Sequence, residues 1–221
     1  MGSDLLISAI PSSGSDWFAS CISKASTHSY YREFFNPICN WPLADEIGTV
    51  FGCESAKYAH NITRRTPAGD REVDEIIEDL WKPSGYTMTK EVWVTEKLEA
   101  LSRHFRVVCF SRTPERSMPP NRARVVGWMH AYADRVGILG GFARSTVMAY
   151  RLMHAANEWY ASLLGLPFIL WDELMAAEKQ RIKEILNGAE MPGVDCSLAA
   201  EIIVETRRDE PRRTLEGWSH E

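Results

Sequence analysis

The sequence has no long apolar run and no closely spaced pair of cysteines, and both absences restrict what the protein can be. No stretch approaches the roughly 18 consecutive apolar residues of a transmembrane helix, so we expect no membrane span. The start lacks a basic segment followed by a long apolar one, which argues against a secretory signal. The five cysteines are widely spaced, without a CxxC motif. We therefore expect reduced thiols, a cytoplasmic protein and no zinc or other metal site.

The chain also lacks an excess of basic residues. It contains 25 Lys and Arg against 30 Asp and Glu, which gives a net charge of −5. Dedicated nucleic-acid binders and proteins of anionic membrane surfaces usually present a basic face, so neither partner is expected. A local basic pocket for one small polyanion is compatible with this balance, and so is an oligomer. The length predicts one domain over residues 1–221.

The order of apolar segments predicts the fold class. Five short runs predict buried strands, at Leu5–Ile10, Ser29–Phe35, Tyr86–Val92, Arg106–Phe110 and Pro167–Trp171. Helical periodicity lies between them, at Asp16–Ala25, Asp70–Leu80, Thr95–His104, Asn121–Val136, Phe142–Leu164 and Glu173–Leu186, with Asn187 and Gly188 as a C-cap. Strands that alternate with helices predict a three-layer α/β fold around a mainly parallel sheet of about five strands. Segment 36–69 is irregular and predicts a substrate cap, and a polar tail begins at 207.

Polar residues follow most of the predicted strands. In parallel α/β sheets, ligands bind beyond the carboxyl ends of the strands. After the first strand, Pro11–Trp17 contains a Gly-Ser turn that opens a helix, and its free N–H groups suit a phosphate. The other strand ends carry Glu33, Lys90, Glu91, Ser111, Arg112, Asp172 and Glu173. Each is singly compatible with a plain turn or a solvated strand end, but together they favour a P-loop-like transferase with an anionic cofactor.

Three common motifs are excluded at the first loop. It does not end in Lys-Ser or Lys-Thr, as a kinase-type Walker motif does. It lacks the flanking glycine of a GxSxG nucleophile elbow, and it does not fit GxGxxG. The loop therefore belongs to none of these three motif classes.

The loop resembles that of sulfotransferases that use 3′-phosphoadenosine-5′-phosphosulfate (PAPS). Their 5′-phosphosulfate loop, P-x-S-G-[ST]-x-W, is matched by Pro11–Trp17. Their 3′-phosphate strand, which ends in Arg-x-Pro, is similar to Arg106–Pro114, and their late strand and helix are similar to Phe168–Leu174. The resemblance covers roughly residues 4–190.

A second motif is similar to bacterial carbohydrate sulfotransferases of the trehalose type. In those proteins Glu-Phe-Phe follows the loop by about two dozen residues, and its glutamate is taken as the general base. Here Glu33-Phe34-Phe35 begins 22 residues after Pro11. The resemblance therefore implies that Glu33 is the base.

The chain departs from the family pattern at four places. Ser12 stands where the family usually has Lys or Arg, and Asp16 where it prefers Thr. Pro120 occupies the position of a phosphate-binding serine, for which Ser117 is close enough to substitute. Lys90–Val92 replaces the Lys-Thr-His of cytosolic members, so their histidine base is absent.

The resemblance implies transfer of a sulfuryl group from PAPS to a hydroxyl or amine of a small molecule, without a metal. The implied ligands of the phosphosulfate are Ser12, Ser13, Gly14, Ser15, Asp16 and Trp17, and those of the 3′-phosphate are Arg112 and Ser117. The tail arginines Arg207 and Arg208, with Arg212 and Arg213, could close over the same 3′-phosphate. The alternative is that the tail is simply solvated. Lys90 is expected to stabilise the leaving phosphate. Glu91 is the alternative base, although strand alternation points it away from Lys90.

The acceptor and two rival functions stay open at this point. Aromatic residues such as Tyr30, Trp41 and Tyr58 suit a carbohydrate or aromatic acceptor, but they suit a plain core equally well. A small-molecule kinase is the first alternative. The second is a non-catalytic nucleotide-binding module on the same fold.

Overall fold

The computed structural model describes residues 4–10, 13–35, 73–92, 94, 97–113 and 146–207. The predicted cap at 36–69, the predicted helix Asn121–Val136 and the tail from 208 onward lie outside the described residues.

A five-stranded parallel sheet forms the centre of the molecule. Its strands are β1 (Asp4–Ala9), β2 (Tyr30–Arg32), β3 (Met88–Val92), β4 (Phe105–Ser111) and β5 (Phe168–Leu170). They lie in the order β2-β3-β1-β4-β5, and every pairing is parallel. All five carboxyl ends therefore share one edge, which confirms the predicted α/β class and its parallel sheet.

The helices of the described part cover both faces of the sheet. They are α1 (Ser15–Lys24), α2 (Val73–Ile76), α3 (Lys82–Ser84), α4 (Leu98–Leu101), α5 (Thr146–Leu163), α6 (Trp171–Ala176), α7 (Lys179–Gly188) and α8 (Cys196–Thr206), and a π-helical turn (Ile77–Trp81) joins α2 to α3. None of the helices in these ranges is long and apolar enough to cross a membrane.

Strand β1 shows why the sheet is buried on both sides. Leu5 and Ile7 belong to the core under α1, α7 and α8, whereas Leu6 belongs to the core under α2, α4 and α5. Successive residues of a strand face opposite sides, so β1, which lies between two helical layers, buries apolar side chains in both directions. This explains why the run Leu5–Ile10 predicts β1 to within one residue.

Several predicted elements end at other residues in the structure, and the backbone explains two of these differences. The strand predicted over Ser29–Phe35 stops at Arg32, because Glu33 has a φ of 57° and leaves the pleated conformation. The helix predicted over Glu173–Leu186 is two helices, since Ala177 and Glu178 have extended backbone between α6 and α7.

Helix α8 was not predicted from the sequence. It begins after Asp195, whose side chain accepts hydrogen bonds from the N–H groups of Ser197 and Leu198. Asp195 is thus an N-cap of the usual kind. Ala199, Ala200 and Ile203 are fully buried, so the helix completes the layer that contains α1.

Candidate functional site

The side chain of Lys90 lies at the centre of a charged cluster near the carboxyl end of β3. It is on the α1 side of the sheet and only 1% exposed. Its Nζ lies 2.7 Å from Oδ1 of Asp16, in the first turn of α1, and it donates a hydrogen bond to Glu33, which directly follows β2. Three residues far apart in the sequence, each proposed from it as a site residue, therefore meet at one point.

The loop before α1 has the conformation of a helix-opening turn. Gly14 is the N-cap and has a φ of 82°, in the left-handed region that favours glycine. Ser13 is fully buried, and its Oγ has no hydrogen-bond partner in the part of the chain that the structure describes. A buried hydroxyl beside a helix N-terminus is a suitable donor for an anionic oxygen.

Trp171 connects this loop to the end of β4. A Cβ added to Gly14 would stand 2.9 Å from Cδ1 of Trp171, so only glycine fits there. The guanidinium carbon of Arg112 lies 3.7 Å from the centroid of the indole ring, a cation–π contact. Sequence reasoning did not propose Trp171. The available signal was its position at the carboxyl end of the fifth predicted strand, at the same edge as the other candidates.

Asp16 is shared between two cations. Besides Lys90, it binds Arg32, whose Nη2 lies 2.6 Å from Oδ2 and whose Nε lies 3.2 Å from Oδ1. Burial raises the pKa of Asp16, but the charges of Lys90 and Arg32 outweigh this effect and hold the pKa below its usual value. Asp16 is therefore an ionised carboxylate that is paired with two cations.

Lys90 remains charged despite its burial. Burial alone lowers the pKa of a lysine, but the carboxylates of Glu33 and Asp16 raise the pKa of Lys90 above its ordinary value. The cluster thus contains two carboxylates, Asp16 and Glu33, and one further cation, Arg32, around the buried ammonium. A buried charge of this kind persists only where it is paired and hydrogen-bonded.

Glu33 is held in place by its backbone as well as by its side chain. Its N–H donates to the carbonyl of Lys90 at 2.9 Å, and the side chain is 8% exposed. The left-handed conformation costs a residue other than glycine roughly 1–2 kcal/mol. The contacts with Lys90 offset that cost, so this carboxylate is fixed beside the ammonium.

Glu91 lies on the opposite face of the sheet and is fully buried. Its Oε1 accepts hydrogen bonds from the N–H of Phe35 at 3.0 Å and from Oγ1 of Thr89 at 2.5 Å. Thr89 in turn accepts from the N–H of Phe34 at 3.2 Å. Three successive residues of β3 thus hold Glu33-Phe34-Phe35, and Glu91 organises the turn that positions Glu33.

Replacing Glu91 by Gln should flatten the dependence of stability on pH. Burial raises the pKa of Glu91 from 4.5 to about 8. At a pH below both pKa values, Glu91 is protonated in the folded and in the unfolded state. Between them the unfolded chain has released a proton that the folded protein keeps, so the free energy of unfolding should fall as pH rises, by up to about 1.4 kcal/mol per pH unit.

Urea unfolding at several values between about pH 5 and pH 8 measures this slope. The exposed Glu99 is the matched control, and Glu99→Gln should keep the wild-type slope. An unchanged slope in Glu91→Gln would show that the folded protein does not hold the Glu91 proton.

Two further residues proposed as cofactor ligands make packing contacts. The indole N–H of Trp17 donates to Oγ1 of Thr206 at 2.9 Å, which fixes α1 against α8. Arg207 donates to the carbonyls of Leu174 at 2.9 Å and Ala177 at 2.5 Å, and so caps the end of α6. Ser12, Ser117 and Arg208 lie outside the described residues.

The described site has the parts that an anion and a proton transfer require. The N-terminus of α1 and the ammonium of Lys90 provide positive potential, and Glu33 provides a carboxylate within hydrogen-bond distance of that ammonium. Within the described ranges, no group of three or more His, Cys, Asp and Glu side chains is arranged to hold a metal ion.

A scan of the chain against protein-family models finds no match, and neither does a search of curated proteins. The resemblance to PAPS-dependent sulfotransferases consequently rests on the motifs at Pro11–Trp17, Glu33–Phe35, Arg106–Pro114 and Phe168–Leu174. It remains a hypothesis about this chain.

Proposed function

We propose that the protein transfers a sulfuryl group from PAPS to a hydroxyl or amine of a small molecule. The observation that supports this most strongly is the cluster of Lys90, Asp16 and Glu33 at the carboxyl edge of the sheet. It combines a buried cation, the first turn of a helix after a phosphate-type loop, and a carboxylate. Sulfuryl transfer requires the same three elements: positive charge for the anion, a fixed position for it, and a base.

In the proposed reaction the acceptor oxygen or nitrogen attacks the sulfur of PAPS. The new bond forms at sulfur as the bond from sulfur to the phosphate oxygen breaks, and 3′-phosphoadenosine-5′-phosphate (PAP) leaves. Ser13, Ser15 and the amides of the loop would hold the phosphosulfate, and Lys90 would stabilise the charge that develops on the leaving oxygen. Glu33 would accept the proton of the acceptor.

Arg112 is the proposed ligand of the 3′-phosphate. It directly follows β4, the neighbour of β1 in the sheet, and its guanidinium stacks on Trp171 beside Gly14. The indole thereby places the cation at a defined position relative to the loop. Arginine is suited to this role because its planar donors can bind a phosphate through two hydrogen bonds.

Replacing Arg112 by Ala should remove the preference for PAP over AMP. The wild type should bind PAP more tightly, because AMP lacks the 3′-phosphate. The variant should lose roughly 1.5–3 kcal/mol for PAP, about 10- to 150-fold in Kd, and almost nothing for AMP. Calorimetric titration of both proteins with both nucleotides measures the difference.

Arg103 provides the control, because its side chain is 60% exposed and pairs with Asp74. Arg103→Ala should bind both nucleotides like the wild type. Equal losses for PAP and AMP in Arg112→Ala would exclude Arg112 as the 3′-phosphate ligand. A wild type that is stabilised by ATP with magnesium but not by PAP would point instead to a kinase.

One observation favours a second candidate function. Lys90 already has two carboxylate partners, so a non-catalytic nucleotide-binding module on the same fold also accounts for the cluster. Incubation with PAPS radiolabelled at sulfur and a panel of hydroxyl and amine acceptors separates the two. Label found on an acceptor supports the enzyme, whereas nucleotide binding without transfer supports the module.

A further inference from the structure

We infer that Asp16 competes with the bound anion for Lys90 and thereby sets the affinity of the site. This inference rests on the proposed function in one respect, the assignment of Lys90 to the anion. It concerns a residue that the motif comparison placed among the cofactor ligands. In the structure the Asp16 carboxylate binds the ammonium of Lys90, to which the anion of the cofactor would have to bind.

The geometry leaves an incoming anion in conflict with Asp16. A lysine ammonium has three donors, and two of those of Lys90 are directed at Oδ1 of Asp16, 2.7 Å away, and at Glu33. A sulfate or phosphate oxygen bonded to the same ammonium would lie within about 5 Å of the Asp16 carboxylate. Two like charges at that separation repel strongly in a partly buried site. Asp16 therefore either moves away from Lys90 or lowers the affinity of the site for the anion.

Asp16 is the carboxylate that can move. Its side chain is 53% exposed, whereas that of Glu33 is 8% exposed. Glu33 is also tied to β3 through its backbone N–H, which donates to the carbonyl of Lys90. Rotation of Asp16 toward solvent would therefore uncover the ammonium without disturbing the proposed base.

Arg32 can keep the displaced carboxylate neutral. Its side chain is 64% exposed, and it binds both oxygens of Asp16. Moving Asp16 away from Lys90 costs less free energy when its carboxylate stays paired with Arg32 than when it is left unpaired. Arg32 should thus favour anion binding through Asp16, without itself touching the anion.

The test is the affinity of Asp16 variants for PAP and for inorganic sulfate, measured by calorimetry. Asp16→Asn removes the competing charge and should bind both about tenfold more tightly or better. Asp16→Glu keeps the charge and should not gain affinity. The tighter binding should appear mainly as slower dissociation of PAP, because the carboxylate no longer returns to Lys90.

Asp74 is the matched control, since it is 48% exposed and paired with Arg103 and His104. Asp74→Asn should leave both affinities unchanged. Arg32→Gln should weaken PAP binding in the wild type and have much less effect in an Asp16→Asn background, because Arg32 is inferred to act on the anion through Asp16. Equal weakening in both backgrounds would assign Arg32 directly to the anion and overturn that part of the inference.

The outcomes separate the competition from the proposed function. If PAP binds the wild type and Asp16→Asn equally well, or binds the variant more weakly, Asp16 does not compete. If sulfate binding tightens in Asp16→Asn but PAP binds neither protein, the competition is real and the assignment to PAPS is wrong. If neither probe binds any variant, both are overturned.

Discussion

Glu33→Gln should lower kcat for sulfuryl transfer by about 10²- to 10⁴-fold, the usual contribution of a general base. Gln keeps the size of the side chain and an oxygen that can accept from Lys90, so the cluster and the affinity for PAP should survive. The loss should appear in kcat because the proton leaves the acceptor only in the reaction itself. The measurement is transfer of radiolabelled sulfur to an acceptor identified in the panel described above.

Glu91→Gln is the internal comparison. Glu91 faces the other side of the sheet and binds Phe35 and Thr89, so its replacement should cost little in kcat. A large loss of kcat in Glu91→Gln together with a normal kcat in Glu33→Gln would show that Glu91 is the base and that Glu33 is not. It would also mean that the turn over Glu33–Phe35 is rebuilt when the substrates bind.

The strands could be predicted from the sequence because burial on both faces leaves a direct trace. Runs such as Leu5–Ile10 and Arg106–Phe110 are apolar at most successive positions, as expected of a short strand between two helical layers. The end of β2 could not be predicted in this way. Glu33 continues an aromatic segment, but its positive φ depends on hydrogen bonds with β3, 57 residues away.

The site was predictable in its location and not in its contacts. Parallel strands put Lys90, Glu33 and the loop at one edge, and the alternation along β3 puts Glu91 on the far face. No local pattern indicates that Asp16 reaches Lys90, or that Trp171 contacts both Gly14 and Arg112. These are long-range contacts, decided by how α1 and α6 pack onto the sheet.

Lys90→Met should destabilise the fold by about 3 kcal/mol, the lower end of the range for breaking a buried ion pair. Methionine matches the length of the lysine stem, so packing changes little and the loss of charge dominates. Glu33 would then remain 6% exposed without its ammonium partner. Two features limit this loss of stability. The Nε of Arg32 lies 4.0 Å from Glu33 and partly balances its charge. Asp16 is exposed, so water can solvate its carboxylate when Lys90 is absent. Urea unfolding measures the loss.

The double variant Lys90→Met/Glu33→Gln separates the ion pair from simple packing. If the Glu33 carboxylate, left without its ammonium partner, causes the loss of stability, then removing its charge should restore most of that stability. The double-mutant cycle should then show a coupling of about 1–3 kcal/mol. Equal instability of the single and double variants would instead assign the loss to the packing of the lysine stem. The comparison also decides how a fall in the kcat of Lys90→Met is interpreted, because only a stable variant reports on charge stabilisation in the transition state.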